Sequence, residues 1–146
     1  MKKFLYCLLA CKGLALSVSA QAVTDSIRLN KYKKVPAIQY GVASYYHDKF
    51  EGRTTANGEI FTQKKMTAAS NKFPLNCWVR VTNIHTKKSI VVRIIDRMHH
   101  LNTRLIDLSR RAAEELQFIK RGLVRVKVEY LGTEAPEDWV EDQVNK

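Results

Sequence analysis

Two carboxylates in this sequence stand where a proton could be exchanged with a substrate. Asp96 follows an apolar run, Ser89 to Ile95, so part of its surroundings is expected to exclude water. Because desolvation favours the uncharged form of a carboxylic acid, this position suits a general acid that later returns as a base. Glu59 follows Gly58, which permits a sharp turn and can direct a loop carboxylate into a groove. A structural carboxylate tied to loop amides and a solvated loop glutamate remain the open alternatives.

Other side chains are weaker candidates for chemistry. The pairs His47-Asp48 and His99-His100 match no known metal-ligand spacing, so we expect neither a metal nor a cofactor. Cys77 is predicted to be a packed thiol, because no adjacent histidine would activate it. Three aromatic residues suit stacking on sugar rings and packing in the core equally well: Tyr45, Tyr46 and Trp78.

Short strands are predicted to position these residues. Alternation or β-branched residues indicate strands at Ile38–Tyr46, Trp78–Ile84, Ser89–Ile95 and Leu123–Leu131, and the middle two are joined as a hairpin. Leu105–Leu108 is a further short apolar segment. A helix is predicted from Ser109 to Phe118, with Ser109 or Asp107 as its cap and Gly122 as its stop signal. Residues 47–65 read as a long surface loop, which in a small domain is usually functional. This order of elements predicts a small, mostly β barrel.

The composition is that of one globular domain. The chain has 146 residues, of which 45% are hydrophobic and 27% charged, and this excludes a disordered protein. Lysine and arginine number 25 against 14 acidic residues, giving a formal charge of +11. Such a charge fits acidic substrates, anionic membranes or nucleic acid. The paired bases are scattered rather than aligned in one stripe, so nucleic acid is not expected as a partner.

The first 22 residues are predicted to be a secretory signal peptide. Lys2 and Lys3 precede an apolar segment, and Ala20-Gln21-Ala22 has the small-x-small form of a cleavage site. Lys12 interrupts the apolar run, so we expect no transmembrane segment after cleavage. Cleavage removes three lysines and lowers the formal charge from +11 to +8. Lipid anchoring through Cys11 is the less favoured alternative to plain export to the periplasm or cell envelope.

The remainder is predicted to divide into three parts. Residues 23–37 form a disordered basic leader, residues 38–131 the folded domain, and residues 132–146 a loose acidic tail. Cys77 is the only cysteine after residue 22, so an internal disulfide cannot form in the mature chain. The exported domain must therefore rely on its hydrophobic core for stability.

A set of short motifs, in fixed order and spacing, resembles the rare lipoprotein A (RlpA-like) family. Each motif alone is weak, but together they are specific. They are Gly41–Tyr46, Thr54–Glu59, Met66–Ala69 followed by Pro74, Val79–Asn83, Val92–Arg97, and Arg104–Ser109 followed by Ala112-Ala113. The resemblance covers roughly residues 39–130. It implies a small six-stranded double-psi β-barrel, mostly β, with one short helix.

The resemblance also implies an endolytic peptidoglycan lytic transglycosylase that prefers glycan strands without stem peptides. Such an enzyme cleaves between N-acetylmuramic acid and N-acetylglucosamine without water. One carboxylic acid can suffice, because it protonates the leaving oxygen and then accepts the proton of the muramoyl 6-hydroxyl that closes a 1,6-anhydro ring. Catalytic residues are then expected at Asp96 and Glu59. Substrate-binding residues are expected at Tyr45, Ser70, Asn83 and Arg97.

Several positions depart from the family pattern. Ser70 stands where the family usually has histidine, and Thr62 where an acidic residue is common. A serine forms hydrogen bonds but exchanges no proton at neutral pH. These departures keep a second class open, a non-catalytic, expansin-like module that binds cell-wall glycan or a division partner. We expect a monomer whose partners are glycan strands, with cell-division proteins as further candidates.

Overall fold

The computed structural model describes residues 36–137 and residue 139. The predicted signal peptide, nearly all of the predicted leader and most of the predicted tail lie outside the described residues. The described part contains six strands and one α-helix. Their bounds are β1 (Ile38–Tyr45), β2 (Thr67–Ala69), β3 (Trp78–Asn83), β4 (Ser89–Asp96), β5 (Ile106–Leu108), α1 (Arg110–Glu115) and β6 (Val124–Gly132).

The strands form one closed barrel in the order β1-β5-β2-β4-β3-β6. β1 pairs in parallel with β5 and β2 in parallel with β4, and the other neighbours are antiparallel. Closure leaves the sheet without a free edge. The predicted fold class, a six-stranded, mostly β barrel with one short helix, is confirmed.

Alternating side chains fill the barrel. Val124, Val126 and Val128 of β6 are buried, as their spacing predicts, and the hairpin of β3 and β4 is confirmed. Gly41 lets β1 approach the segment before β5 closely. A Cβ atom at this position would lie 2.6 Å from the Cβ atom of Leu105, which is closer than real contacts allow. The absence of a side chain at Gly41 therefore permits the close packing of β1 against Leu105.

Three features of the fold differ from the sequence prediction. β2 was not predicted, because it has only three residues and all of them are buried, which leaves no alternation to recognise. α1 is shorter than predicted, and its termination does not depend on Gly122. Gln117, with a φ of 58°, occupies the left-handed position, and the N–H of Phe118 donates to the carbonyl of Ala113 at 3.2 Å. This is the hydrogen-bond pattern of a Schellman motif.

A tryptophan beyond β6 belongs to the packed structure. The ring of Trp139 lies 4.5 Å from that of Trp78, and Trp139 packs against the core. Trp78 is therefore used for packing, one of the two interpretations its sequence context allowed. Within the described residues, none of the helices has the length and apolar character needed to span a membrane.

Candidate active site

The register of four neighbouring strands brings two aspartates to the same row of the barrel. Ser44 pairs with Asp107, Asp107 with Ala69, and Ala69 with Asp96. Only one strand separates the two aspartates, so their Cα atoms lie about 10 Å apart. Ala69, the residue between them, is small and buried.

The carboxylate of Asp96 is held by three donors. Oδ1 accepts from the backbone N–H of Ala56 at 2.9 Å and of Arg97 at 2.8 Å, while Oδ2 accepts from the hydroxyl of Tyr46 at 2.8 Å. A carboxylate oxygen accepts two hydrogen bonds, so Oδ1 is saturated and Oδ2 keeps one lone pair. The alternative that the sequence left open, a carboxylate tied to loop amides, therefore describes Oδ1. Oδ2 is the atom available for proton exchange.

Tyr46 is fixed by aromatic packing and remains a donor. Its ring centroid lies 4.4 Å from that of Phe61 and 5.5 Å from that of Phe50. Burial, followed by the hydrogen bond to Asp96, raises the pKa of Tyr46 far above its ordinary value. The hydroxyl therefore keeps its proton and donates to Oδ2 throughout the physiological range.

Two cavities meet at Asp96. The larger, of about 420 Å³, and the smaller, of about 190 Å³, share Tyr46, Phe50 and Asp96 as wall residues. The larger cavity also contacts Asp107 and a set of basic side chains, and the smaller one contacts Phe61 and two threonines. A long substrate could thus pass on both sides of Asp96.

Asp107 is the second carboxylate in the wall of the larger cavity, and sequence reasoning did not single it out. Its Oδ1 accepts from the hydroxyl of Ser44 and from Nε of Arg104, both at 2.8 Å, and its Oδ2 accepts from Nη2 of Arg104 at 2.9 Å. This bidentate bond raises the pKa of Arg104. The spacing Arg104-x-x-Asp107 was the available signal, but only the pairing of β5 with β1 and β2 places the pair beside Asp96.

Glu59 supports the loop that holds Asp96. Its Oε2 lies 2.6 Å from Nη2 of Arg93, and its Oε1 accepts from Nδ2 of Asn57 at 2.9 Å. The backbone N–H of Asn57 in turn donates to the carbonyl of Ile95 at 3.1 Å, next to Ala56 and its bond to Asp96. Glu59 lines neither of the two cavities that meet at Asp96.

Two of the predicted substrate-binding residues reach the larger cavity. Tyr45 lines it while its ring packs edge-on against Phe118, with centroids 6.0 Å apart; stacking on a sugar stays a prediction. Arg97 also lines it, but its guanidinium turns away from Asp96. Nη1 donates to the carbonyl oxygens of Ser70 and of Phe73, the latter at 2.8 Å.

The other two predicted substrate-binding residues are buried. Ser70 is fully buried, and its hydroxyl donates to the carbonyl of Leu105 at 2.8 Å. Asn83 is also buried and donates to the carbonyl of Leu116 at 3.0 Å. Its neighbour Thr82 pairs with Ser89 at the far end of β4, so Asn83 lies more than about 20 Å from Asp96 at the rise of a β-strand. Neither residue is carried into the proposed site.

Two weaker candidates from the sequence, Cys77 and the pair His99-His100, can also be placed. Cys77 is buried as predicted, and burial raises the pKa of its thiol to about 12, which keeps it from acting as a nucleophile. His99 lines the larger cavity with Asp96, and its ring stacks on His100 with centroids 4.3 Å apart. Among the described residues, no cluster of three or more potential ligands suits a metal ion.

Comparison with known proteins places this barrel and groove in a family. The family model described as "Lytic transglycolase" matches residues 38–128. The chain therefore belongs to this double-psi β-barrel family, as its motifs predict.

Two similar curated proteins carry the name endolytic peptidoglycan transglycosylase RlpA. The one from Haemophilus influenzae is 47% identical over 94 residues, covering 64% of this chain and 33% of that protein. The one from Rickettsia bellii is 44% identical over 109 residues, covering 73% of this chain and 48% of that protein. The chain thus spans between a third and a half of the length of these relatives.

Solved structures share the fold at low sequence identity. The Streptomyces papain inhibitor has a TM-score of 0.54 and 22% identity, covering 67% of this chain and 97% of its own. A Clavibacter michiganensis expansin has a TM-score of 0.55 and 20% identity, covering 68% of this chain and 52% of its own. These likenesses concern the barrel architecture alone.

Proposed function

We propose that the protein is an endolytic peptidoglycan lytic transglycosylase, a carbon–oxygen lyase that cuts glycan strands and leaves 1,6-anhydro ends. Family membership and the names of its relatives support the class of reaction. The observation that carries the proposal for this chain is Asp96, a carboxylate with one open lone pair at the junction of two cavities. An open groove on both sides suits cleavage within a strand rather than at its end.

In the proposed reaction Asp96 acts twice through Oδ2. The protonated carboxyl donates its proton to the glycosidic oxygen as the bond between that oxygen and C1 of N-acetylmuramic acid breaks. The carboxylate then accepts the proton of the muramoyl 6-hydroxyl, whose oxygen attacks C1 and closes the anhydro ring. Asp96 is protonated again and no water is consumed.

The neighbouring residues keep this carboxylate in place. The two backbone N–H groups fix Oδ1, and the hydroxyl of Tyr46 sets the direction of Oδ2. Glu59, the second predicted catalytic carboxylate, is assigned a positioning role, because its ion pair with Arg93 stabilises the loop that carries Ala56. Tyr45 and Arg97 are the predicted substrate-binding residues retained in this proposal.

The cell envelope is the proposed place of action, since peptidoglycan is found there. Export to the periplasm through the predicted signal peptide, action as a monomer and contact with cell-division proteins belong to the same proposal. Strands stripped of stem peptides are the proposed preferred substrate.

Mass spectrometry of the products released from amidase-treated sacculi tests the proposal. We expect glycan fragments without stem peptides that end in 1,6-anhydro-N-acetylmuramic acid. Fragments with reducing ends would indicate hydrolysis and contradict the reaction. Tight binding without any released fragment would instead favour the expansin-like binding module.

A further inference from the structure

The two cavities at Asp96 differ in the chemistry of their walls. Besides the residues that it shares with the larger cavity, the smaller one is lined by Phe61, by the hydroxyl-bearing Thr54 and Thr55, and by Arg53. The guanidinium of Arg53 lies 5.3 Å from the ring centroid of Phe50. With one permanent cation, Arg53, and one carboxylate, Asp96, the smaller cavity carries no net charge, which suits an uncharged sugar.

The larger cavity has an excess of cations. Of its three permanently charged bases, Arg104 is neutralised by Asp107, and Arg97 is bonded to backbone carbonyl oxygens. Lys49, the third, lies 5.3 Å from the ring centroid of Phe50 and has no carboxylate partner within residues 36–137. Its ammonium group is therefore available to an anion without breaking an ion pair.

Two histidines add directed donors to the same walls. Nδ1 of His47 accepts from the backbone N–H of Lys49 at 3.2 Å, and Nδ1 of His99 accepts from that of Leu101 at 3.3 Å. An acceptor at Nδ1 requires the proton of the neutral ring to be on Nε2. With Nδ1 accepting, each neutral imidazole can thus donate through Nε2.

We propose that the larger cavity is the subsite for N-acetylmuramic acid, whose free lactyl carboxylate binds Lys49 with help from His47 and His99. The smaller cavity then holds the N-acetylglucosamine across the scissile bond. This assignment rests on the proposed function and gives a reason for the preference for stripped strands. A stem peptide converts the lactyl carboxylate to an amide, which removes the charge that the cationic wall recognises.

Paired substrates test this assignment. One is a set of stripped glycan strands with free carboxylates, and the other is the same strands with those groups converted to primary amides. Release of anhydro ends gives kcat and KM for each. We expect the wild-type KM to be about threefold to fivefold higher on the amidated strands, the upper range for an exposed ion pair.

Lys49→Met separates this contact from general attraction between opposite charges. On both substrates the variant should have the KM that the wild type has on amidated strands, because neither substrate can then form the contact with Lys49. Its kcat should change less than its KM. Lys88→Met is the matched control: Lys88 is exposed and precedes β4, at the end remote from Asp96. It should discriminate between the two substrates as the wild type does.

Two results would overturn the subsite assignment. One is an equal wild-type KM for both kinds of strand, and the other is full discrimination by Lys49→Met. Kd values for both strands, measured with the Asp96→Asn variant, give the same comparison without turnover. Failure to release anhydro ends from either substrate contradicts the proposed function, whereas equal KM or Kd values contradict only the assignment of the cavities.

Discussion

Replacing Tyr46 with phenylalanine removes one oxygen atom and leaves the ring packing intact. The ring contacts with Phe61 and Phe50, at centroid distances of 4.4 Å and 5.5 Å, need no hydroxyl. What disappears is the 2.8 Å hydrogen bond to Oδ2 of Asp96. The substitution therefore isolates the contribution of this bond to the orientation of the carboxylate.

The structure sets the size of the expected effect. A hydrogen bond to a charged group contributes about 1.5–3 kcal/mol when one partner is deleted. Asp96 retains both backbone bonds to Oδ1, and Oδ2 borders a cavity from which water can replace the lost donor. We therefore take the lower end of that range, which corresponds to a fall in kcat of about tenfold. Folding stability should fall by a similar amount, about 1.5 kcal/mol.

Initial rates of anhydro-end release from stripped strands, measured across a substrate series, separate kcat from KM. The prediction is a lower kcat with an unchanged KM. An unchanged kcat would refute the idea that Tyr46 orients Asp96. A raised KM with a wild-type kcat would mean that the hydroxyl binds the sugar instead.

Three further predictions concern stability and are measured by urea or thermal unfolding. Gly41→Ala should destabilise the barrel by about 1–3 kcal/mol, since its Cβ would lie 2.6 Å from that of Leu105, and wild-type stability would contradict this. Gln117→Gly should stabilise it by up to about 1 kcal/mol by relieving the positive φ at the end of α1; a lower melting temperature would count against that cause. Because the folded state raises the pKa of Tyr46, the unfolded chain releases this proton first as pH rises above about 10, and wild-type stability should fall more steeply there than that of Tyr46→Phe. Equal slopes from pH 9 to 11 would disprove this linkage.

The sequence predicts the long elements well because their patterns are local. Val124, Val126 and Val128 alternate along one strand, and Ser109 accepts from the N–H of Ala112 as the predicted helix cap. β2 escapes prediction because it has three buried residues and gains its identity only from β4 and β5. Gln117 likewise ends α1 in a conformation that glycine adopts more readily, so composition points to Gly122 instead.

The site is less predictable because it is assembled from distant segments. Asp96 could be selected from its place at the end of an apolar strand. Asp107 could not, because its proximity to Asp96 depends on β2, the strand that the sequence did not predict and that pairs with β5 on one side and with β4 on the other. Ser70 was predicted to bind substrate from its place next to a family motif, but it is fully buried and bonded to a backbone carbonyl, which the sequence does not reveal.

Asp96→Asn provides the most direct test of the central claim that this carboxyl transfers the proton. The amide is nearly the same size but cannot donate a proton as an acid or accept it back. We predict a loss of about 10²–10⁴ in the rate of anhydro-end release, with binding to stripped strands retained. Glu129→Gln makes the same chemical change on β6, where Glu129 pairs with Lys127, and should retain the wild-type rate. A folded Asp96→Asn protein that releases anhydro ends at the wild-type rate would contradict the mechanism.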